Sequence, residues 1–220
     1  MTVPPITALR GEGLSCRRGF KTLFQNLDLQ AEAGRALVVT GPNGVGKSSL
    51  LRILAGLLEP SAGAVRLAGC AAEAGLREQV HYLGHDDALK GALTVRANLE
   101  FWRAVLGPTG LSVDEALEEV GLGGLGRLRA SVLSAGQKRR LAIARLLVSR
   151  RAVWILDEPT TALDVRAQAR FAAFGRAHLA EGGIVIAATH APLDLGESAG
   201  LDLTAQGSNA AGADLGELEP

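Results

Sequence analysis

Gly41-Pro42-Asn43-Gly44-Val45-Gly46-Lys47-Ser48 fits the spacing G-x-x-x-x-G-K-S/T immediately after an apolar run, Leu37 to Val39. The chemistry these residue types support is the capture of a phosphate chain. Three glycines let the backbone bend until successive N–H groups point inward, and Lys47 adds a point charge for the β and γ phosphates of a nucleoside triphosphate. Ser48 opens a helix expected over Ser49 to Leu58, whose positive N-terminal end deepens the anion site, and its hydroxyl is placed to ligate Mg2+. The binding residues expected here are Gly41, Pro42, Asn43, Gly44, Val45, Gly46, Lys47, Ser48 and Ser49. A glycine-rich surface turn would need neither the lysine nor the strand-loop-helix setting.

Two later apolar runs end in groups able to act on such a phosphate chain. Val153-Trp154-Ile155-Leu156-Asp157-Glu158-Pro159 reads as a buried strand delivering two carboxylates, and Ile184-Val185-Ile186-Ala187-Ala188-Thr189-His190 as another delivering an imidazole. Mg2+ prefers octahedral oxygen coordination and keeps waters, so Ser48 and Asp157, the latter through water, are expected to hold it against the β and γ oxygens. Glu158, one residue on, is then the expected base for the attacking water.

In their order and spacing these segments resemble the ATP-binding cassette (ABC) ATPases, from about Leu14 to His190. Leu133-Ser134-Ala135-Gly136-Gln137 is similar to the family's LSGGQ signature with alanine in third place, and Lys138 to Arg145 continues it as a basic and apolar helix. Val153 to Pro159 is similar to the Walker B segment, Ala162-Leu163-Asp164 to the D-loop and Ile184 to His190 to the H-loop. The resemblance implies an α/β fold of P-loop NTPase type with an antiparallel β subdomain and an inserted helical subdomain. It implies an ATPase using ATP and Mg2+, in which Lys47, Glu158 and His190 are catalytic and His190 contacts the γ phosphate. It also implies a second copy of the chain: Ser134, Gly136 and Gln137 at the signature, with Asp164, would face the nucleotide held by the partner, so two chains sandwich two ATP molecules. Alanine at 135 is tolerable if that residue's φ is negative.

Two positions depart from the family pattern. Where a glutamine is expected after the strand Val80 to Leu83, the chain reads Gly84-His85-Asp86-Asp87, with His85 in register and either His85 or Asp86 as the substitute. The adenine-stacking aromatic is missing from its usual place, leaving Phe20 or Arg18 to cover the base. Leu83-Gly84-His85, Leu93-Thr94, Asn98-Leu99-x-Phe101-Trp102, the signature and Trp154 to Pro159 are similar to the ATPase subunits of bacterial haem exporters used in cytochrome c maturation, although Asp86 and Thr160 differ from that group. That likeness implies transmembrane partners of the CcmB and CcmC kind, engaged near His85 and the helical subdomain, and a peripheral place on the cytoplasmic face of the inner membrane. An ABC transporter for another substrate, a soluble ABC ATPase and a nucleotide-binding regulator without turnover are the competing readings. A soluble ATPase would usually show two cassettes, a long coiled coil or a basic patch, and Glu158 and His190 speak against a regulator without turnover.

The elements that must position these groups follow from periodicity. Strands are expected at Ile6 to Cys16, Leu23 to Ala31, Leu37 to Thr40, Ala64 to Leu67 and Val80 to Leu83, with a turn at Pro60 to Gly63. Val95 to Leu106 places Leu99, Trp102 and Leu106 on one helical face, and Ser112-Val113-Asp114-Glu115 reads as a capping box opening a helix to Val120. Gly121 to Gly126 breaks the chain before a signature helix to about Ser149, and a helix from Asp164 to Leu179 separates the last two buried strands. One nucleotide-binding domain is expected, with a catalytic core at 1–84 and 151–200, a helical signature subdomain at 85–150 and a poorly ordered tail at 201–220. Twenty-three basic and twenty-three acidic residues balance to zero, which offers no nucleic-acid footprint. Cys16 and Cys70 lack metal or redox spacing. The N-terminus has no basic or apolar leader pattern, and no apolar run approaches the roughly 20 residues a membrane-spanning helix needs, so the chain is expected in the cytoplasm, meeting a membrane through partners.

Overall fold

The computed structural model describes residues 6–69 and 75–204. Cys70 and residues 205–220 of the expected tail lie outside the described residues. Two sheets form the core. The first is antiparallel, built from β1 (Ala8–Arg18), β2 (Lys21–Glu32) and β4 (Ala62–Ala68) in the order β2-β1-β4. The second is parallel, from β5 (Val80–Leu83), β6 (Val153–Asp157), β7 (Ile184–Ala188), β3 (Ala36–Thr40) and β8 (Ser198–Asp202) in the order β5-β6-β7-β3-β8. Every residue of β6 and β7 is buried, as unbroken apolar runs require of strands covered on both faces.

Helix α1 (Lys47–Leu54) packs its apolar face into one core with both sheets, where Leu50, Leu51, Ile53 and Leu54 meet Leu9, Leu14, Phe24, Ile155 and Ile186. It stops at Leu54, four residues short of the expectation. Gly56, at φ 67°, accepts the left-handed turn, and the N–H groups of Gly56 and Leu57 return to the carbonyls of Ile53 and Arg52. That pairing satisfies the last orphan acceptors and ends the helix.

On the opposite side, α3 (Val95–Leu106), α4 (Val113–Glu119), α5 (Ala135–Val148) and α6 (Val165–Ala180) share a second core with Leu83, Trp154, Leu156, Val185 and Ala187. Their starts are fixed locally. Thr94 accepts from Ala97 N–H at 3.1 Å, and Ser112 and Glu115 close the capping box read from the sequence. A short helix α2 (Leu76–Gln79) precedes β5. Leu99 is buried in the α3 face, whereas Trp102 and Leu106 are half-buried.

β8 was not anticipated. Its five residues are mostly exposed and carry no alternation; backbone pairing with β3 and the fully buried Leu203 just beyond it hold it in register. Residues 201–204 of the expected tail are therefore part of the ordered sheet edge and its anchor. Among the described residues no helix is long and apolar enough to cross a membrane.

Candidate functional site

The phosphate loop hangs between the end of β3 and the start of α1. Gly41, Gly44 and Gly46 take φ values of 135°, 78° and 118°, none of them comfortable for an L side chain. At Gly46 a Cβ would also come within 3.1 Å of Leu23 and 3.3 Å of Phe24, so glycine is needed there for backbone and space alike. Pro42, Asn43 and Gly44 are exposed, and Val45 N–H donates to Pro42 O at 3.4 Å. The ordered helix begins at Lys47 rather than Ser49, which puts Ser48 on the exposed side of its first turn. Ser49 is buried and its hydroxyl faces the Cys16 thiol. Burial pushes that thiol's pKa up.

Lys47 is only 8 % exposed, and its ammonium donates to the carbonyls of Gly41 at 2.5 Å and Pro42 at 3.1 Å. It also lies 3.2 Å from His190 Nε2, which is 3.0 Å from Asn43 Oδ1. An ammonium has only protons to give, so Nε2 accepts from Lys47 and the Asn43 amide is the partner free to turn. At the end of β6, Asp157 is buried and Glu158 turns into the left-handed region at φ 47°. Glu158 Oε2 accepts from His190 N–H at 3.4 Å, while Oε1 sits 3.8 Å from His190 Nε2 and is a buried oxygen with no hydrogen-bond donor. The sequence's three scattered catalytic candidates, Lys47, Glu158 and His190, therefore meet at one place.

No cluster of three His, Cys, Asp or Glu side chains that could hold a metal occurs among the described residues. A divalent cation here would depend on one hydroxyl, one carboxylate, water and phosphate oxygens. That donor set fits Mg2+, which is seldom caged by protein alone.

The signature residues sit apart in role. Ser134 caps α5: its Oγ accepts from Gln137 N–H at 3.3 Å and Gln137 Oε1 accepts from Ser134 N–H at 2.9 Å. The Gln137 carboxamide is thus engaged in the cap. Ala135 is the first residue of the right-handed helix, so the condition for alanine is met. A Cβ on Gly136 would lie 2.8 Å from Ala162 O, which means that glycine lets the D-loop close against the signature. Asp164 caps α6, accepting from Ala167 N–H at 2.8 Å, and remains exposed.

Two candidates lie open to solvent. Phe20 is fully exposed at the tip of the β1–β2 hairpin, and His85 is exposed just after β5. Sequence reasoning missed Arg139, buried on α5, whose side chain reaches the carbonyls of Gly84, Asp157, Glu158 and Pro159 and the carboxylate of Asp87. The available signal was a charged residue on the apolar face of a helix. Arg145, one turn and a half along, lies over Trp102 at 4.6 Å and donates to Tyr82 O at 2.7 Å. Burial lowers its pKa to about 10.

Residues 24–161 match the family described as ABC transporter. The chain is 57 % identical over 187 residues to a protein of Nitrobacter winogradskyi named Cytochrome c biogenesis ATP-binding export protein CcmA, a match covering 85 % of this chain and 94 % of that one. A protein of the same name from Rhizobium meliloti is 51 % identical over 201 residues, covering 89 % and 97 %. Among solved structures, one described as the ATP binding subunit of an ABC transporter superposes with a TM-score of 0.75 at 24 % identity, covering 84 % of this chain and 80 % of that one.

Proposed function

The chain belongs to the ABC transporter family of ATP-binding proteins, and from that membership we propose that it is the ATP-hydrolysing subunit of a membrane complex that exports haem for cytochrome c biogenesis. It binds ATP and couples ATPase activity to transport. The observation that carries the hydrolytic reading is the Glu158 carboxylate, oriented by His190 N–H through one oxygen and left with a buried, donorless second oxygen 3.8 Å from the same His190 Nε2 that Lys47 contacts.

The site residues divide the work. The backbone N–H groups from Gly44 to Ser48 and the Lys47 ammonium meet the phosphates, which are stronger acceptors than the Gly41 and Pro42 carbonyls that Lys47 contacts. Ser48 and Asp157, the latter through water, would hold Mg2+, which when bound neutralises charge on the β and γ oxygens. Glu158 Oε1 orients the attacking water and takes its proton, and His190 aligns both water and γ phosphate. Ser134 and Asp164, exposed at helix starts, and the half-buried Gly136 complete the site of a second copy of the chain. ATP then closes the dimer and hydrolysis releases it. Transmembrane subunits of the CcmB and CcmC kind dock near His85 and the helical subdomain, with the chain peripheral on the cytoplasmic face of the inner membrane.

The test is Glu158→Gln in the source bacterium, read by haem staining of a denaturing gel with total b-type haem as control. Loss of covalent c-type haem with b-type haem intact is expected. Unchanged c-type cytochromes in a strain without a duplicate gene would refute the maturation role.

A further inference from the structure

Arg139 lies in the second turn of α5, its side chain 4 % exposed. A guanidinium has five N–H groups, and each finds one acceptor here. Nε donates to Pro159 O at 3.0 Å; Nη1 to Gly84 O at 2.8 Å and Asp87 Oδ1 at 3.1 Å; Nη2 to Asp157 O at 3.0 Å and Glu158 O at 2.7 Å. Three consecutive peptide carbonyls, those of Asp157, Glu158 and Pro159, thus hang on one planar fork. The middle one belongs to a residue at φ 47°, rare for an L side chain. Its N–H is held too, donated to Ala188 O at 2.8 Å. A conformation this uncommon persists only where its surroundings over-determine it, and Arg139 supplies half of that determination.

A buried arginine can be a packing element alone. Burying the charge is nevertheless costly, and its carboxylate partner, Asp87, is itself 22 % exposed in the loop after β5. Nothing about filling that volume requires every donor to fall on the segment carrying Asp157 and Glu158 or on the loop carrying Gly84 and Asp87. We propose that Arg139 is a positioning residue for hydrolysis: it fixes the Glu158 peptide so that the carboxylate faces the phosphate loop, and through Asp87 it makes that aim depend on the loop after β5. A shift of residues 84–87 withdraws both Nη1 acceptors and lets the fork pivot away from the Glu158 carbonyl. The inference rests on Glu158 as the base that orients water.

The experiment compares Arg139→Lys, Asp87→Asn and Glu158→Gln in the full chain, measuring ATP turnover, affinity for a fluorescent ATP analogue and melting temperature. Lysine serves at most three of the five acceptors, so Arg139→Lys should lose about tenfold or more in kcat with nucleotide affinity within about twofold. Asp87→Asn, which keeps the shape and removes the charge, should lose roughly three- to tenfold in kcat, again with affinity held. If Glu158→Gln turns over like the wild type, the assignment of the base itself fails. If Glu158→Gln is inactive while Arg139→Lys and Asp87→Asn keep wild-type kcat, the positioning role is overturned. A kcat loss matched by proportionate losses of affinity and melting temperature also overturns it, leaving Arg139 a packing residue. Should Arg139→Lys fail to fold, Asp87→Asn decides alone.

Discussion

Replacing Ser134 by alanine and by glycine separates two jobs that one hydroxyl holds. As the cap of α5 it accepts from Gln137 N–H at 3.3 Å, a long bond at an exposed position. Alanine at such a cap costs about 0.5–2 kcal/mol and glycine only a few tenths, and the long exposed bond puts the alanine cost near about 1 kcal/mol. For a domain of this size that is a drop of about 2–4 °C in melting temperature, with the glycine variant within about 1 °C of wild type. The hydroxyl caps with a lone pair, which leaves its proton to donate outward. If that proton meets the γ phosphate held by a second chain, both variants forfeit a charge-assisted bond of about 1.5–3 kcal/mol, or about 10- to 150-fold in turnover, whatever their stability. Thermal melts, ATPase rates and ATP-driven dimerisation in a Glu158→Gln background, followed by size exclusion, measure the three quantities. A glycine variant that hydrolyses ATP at the wild-type rate would show that Ser134 only caps its helix.

Lys47→Met should raise the dissociation constant for ATP by about tenfold or more, since it removes the one ammonium at the loop; an unchanged titration with a fluorescent analogue would refute the phosphate-loop assignment. Gly110→Ala would place a Cβ 2.0 Å from Leu147 O, at the point where Leu111 N–H caps the end of α5 at 2.8 Å. The clash is with backbone, so a loss of about 2 kcal/mol or more is expected in urea titrations, and an unchanged midpoint would contradict it. His81 is buried and donates to Ser149 O at 2.6 Å, and burial drops its pKa from 6.5 to about 3. Between those values the unfolded chain binds the extra proton, so stability present above 6.5 falls with pH by up to about 1.4 kcal/mol per unit. His81→Gln should show a shallower slope of stability between about pH 6 and pH 5 than the wild type. Parallel slopes would mean that His81 does not contribute.

What could be read from the sequence was whatever is decided locally. The apolar runs of β6 and β7 are covered on both faces, and the Ser112–Glu115 box is complete within four positions, so each carries its own signal. The phosphate loop is likewise one contiguous turn. β8 escaped because an exposed edge strand is specified by its neighbour rather than by its own side chains. The end of α1 escaped for a narrower reason: the periodicity continues through Leu57 and Leu58, while Gly56 ends the helix by backbone geometry. Arg139 was the largest omission, and its partners explain it. They lie 18 to 55 positions away, and four of the five are peptide carbonyls, which every residue type offers equally.

The parallel order β5-β6-β7-β3-β8 sets a timetable for biosynthesis. β3, which carries the phosphate loop, has β7 on one side and β8 on the other, and Ala36 pairs with Val185 and Ser198. The β1–β2 hairpin can zip up from adjacent residues as soon as it leaves the ribosome. Its neighbour β3 cannot: at roughly 5–20 residues per second its two edges stay unpaired for about 8 to 30 seconds, until the final strands are translated. Leu37-Val38-Val39 is during that interval an open apolar edge of the kind that recruits foreign strands. The nucleotide site is thus among the last parts of the nascent chain to mature, and slowing translation downstream of β3 should increase aggregation before it affects any property of the finished protein.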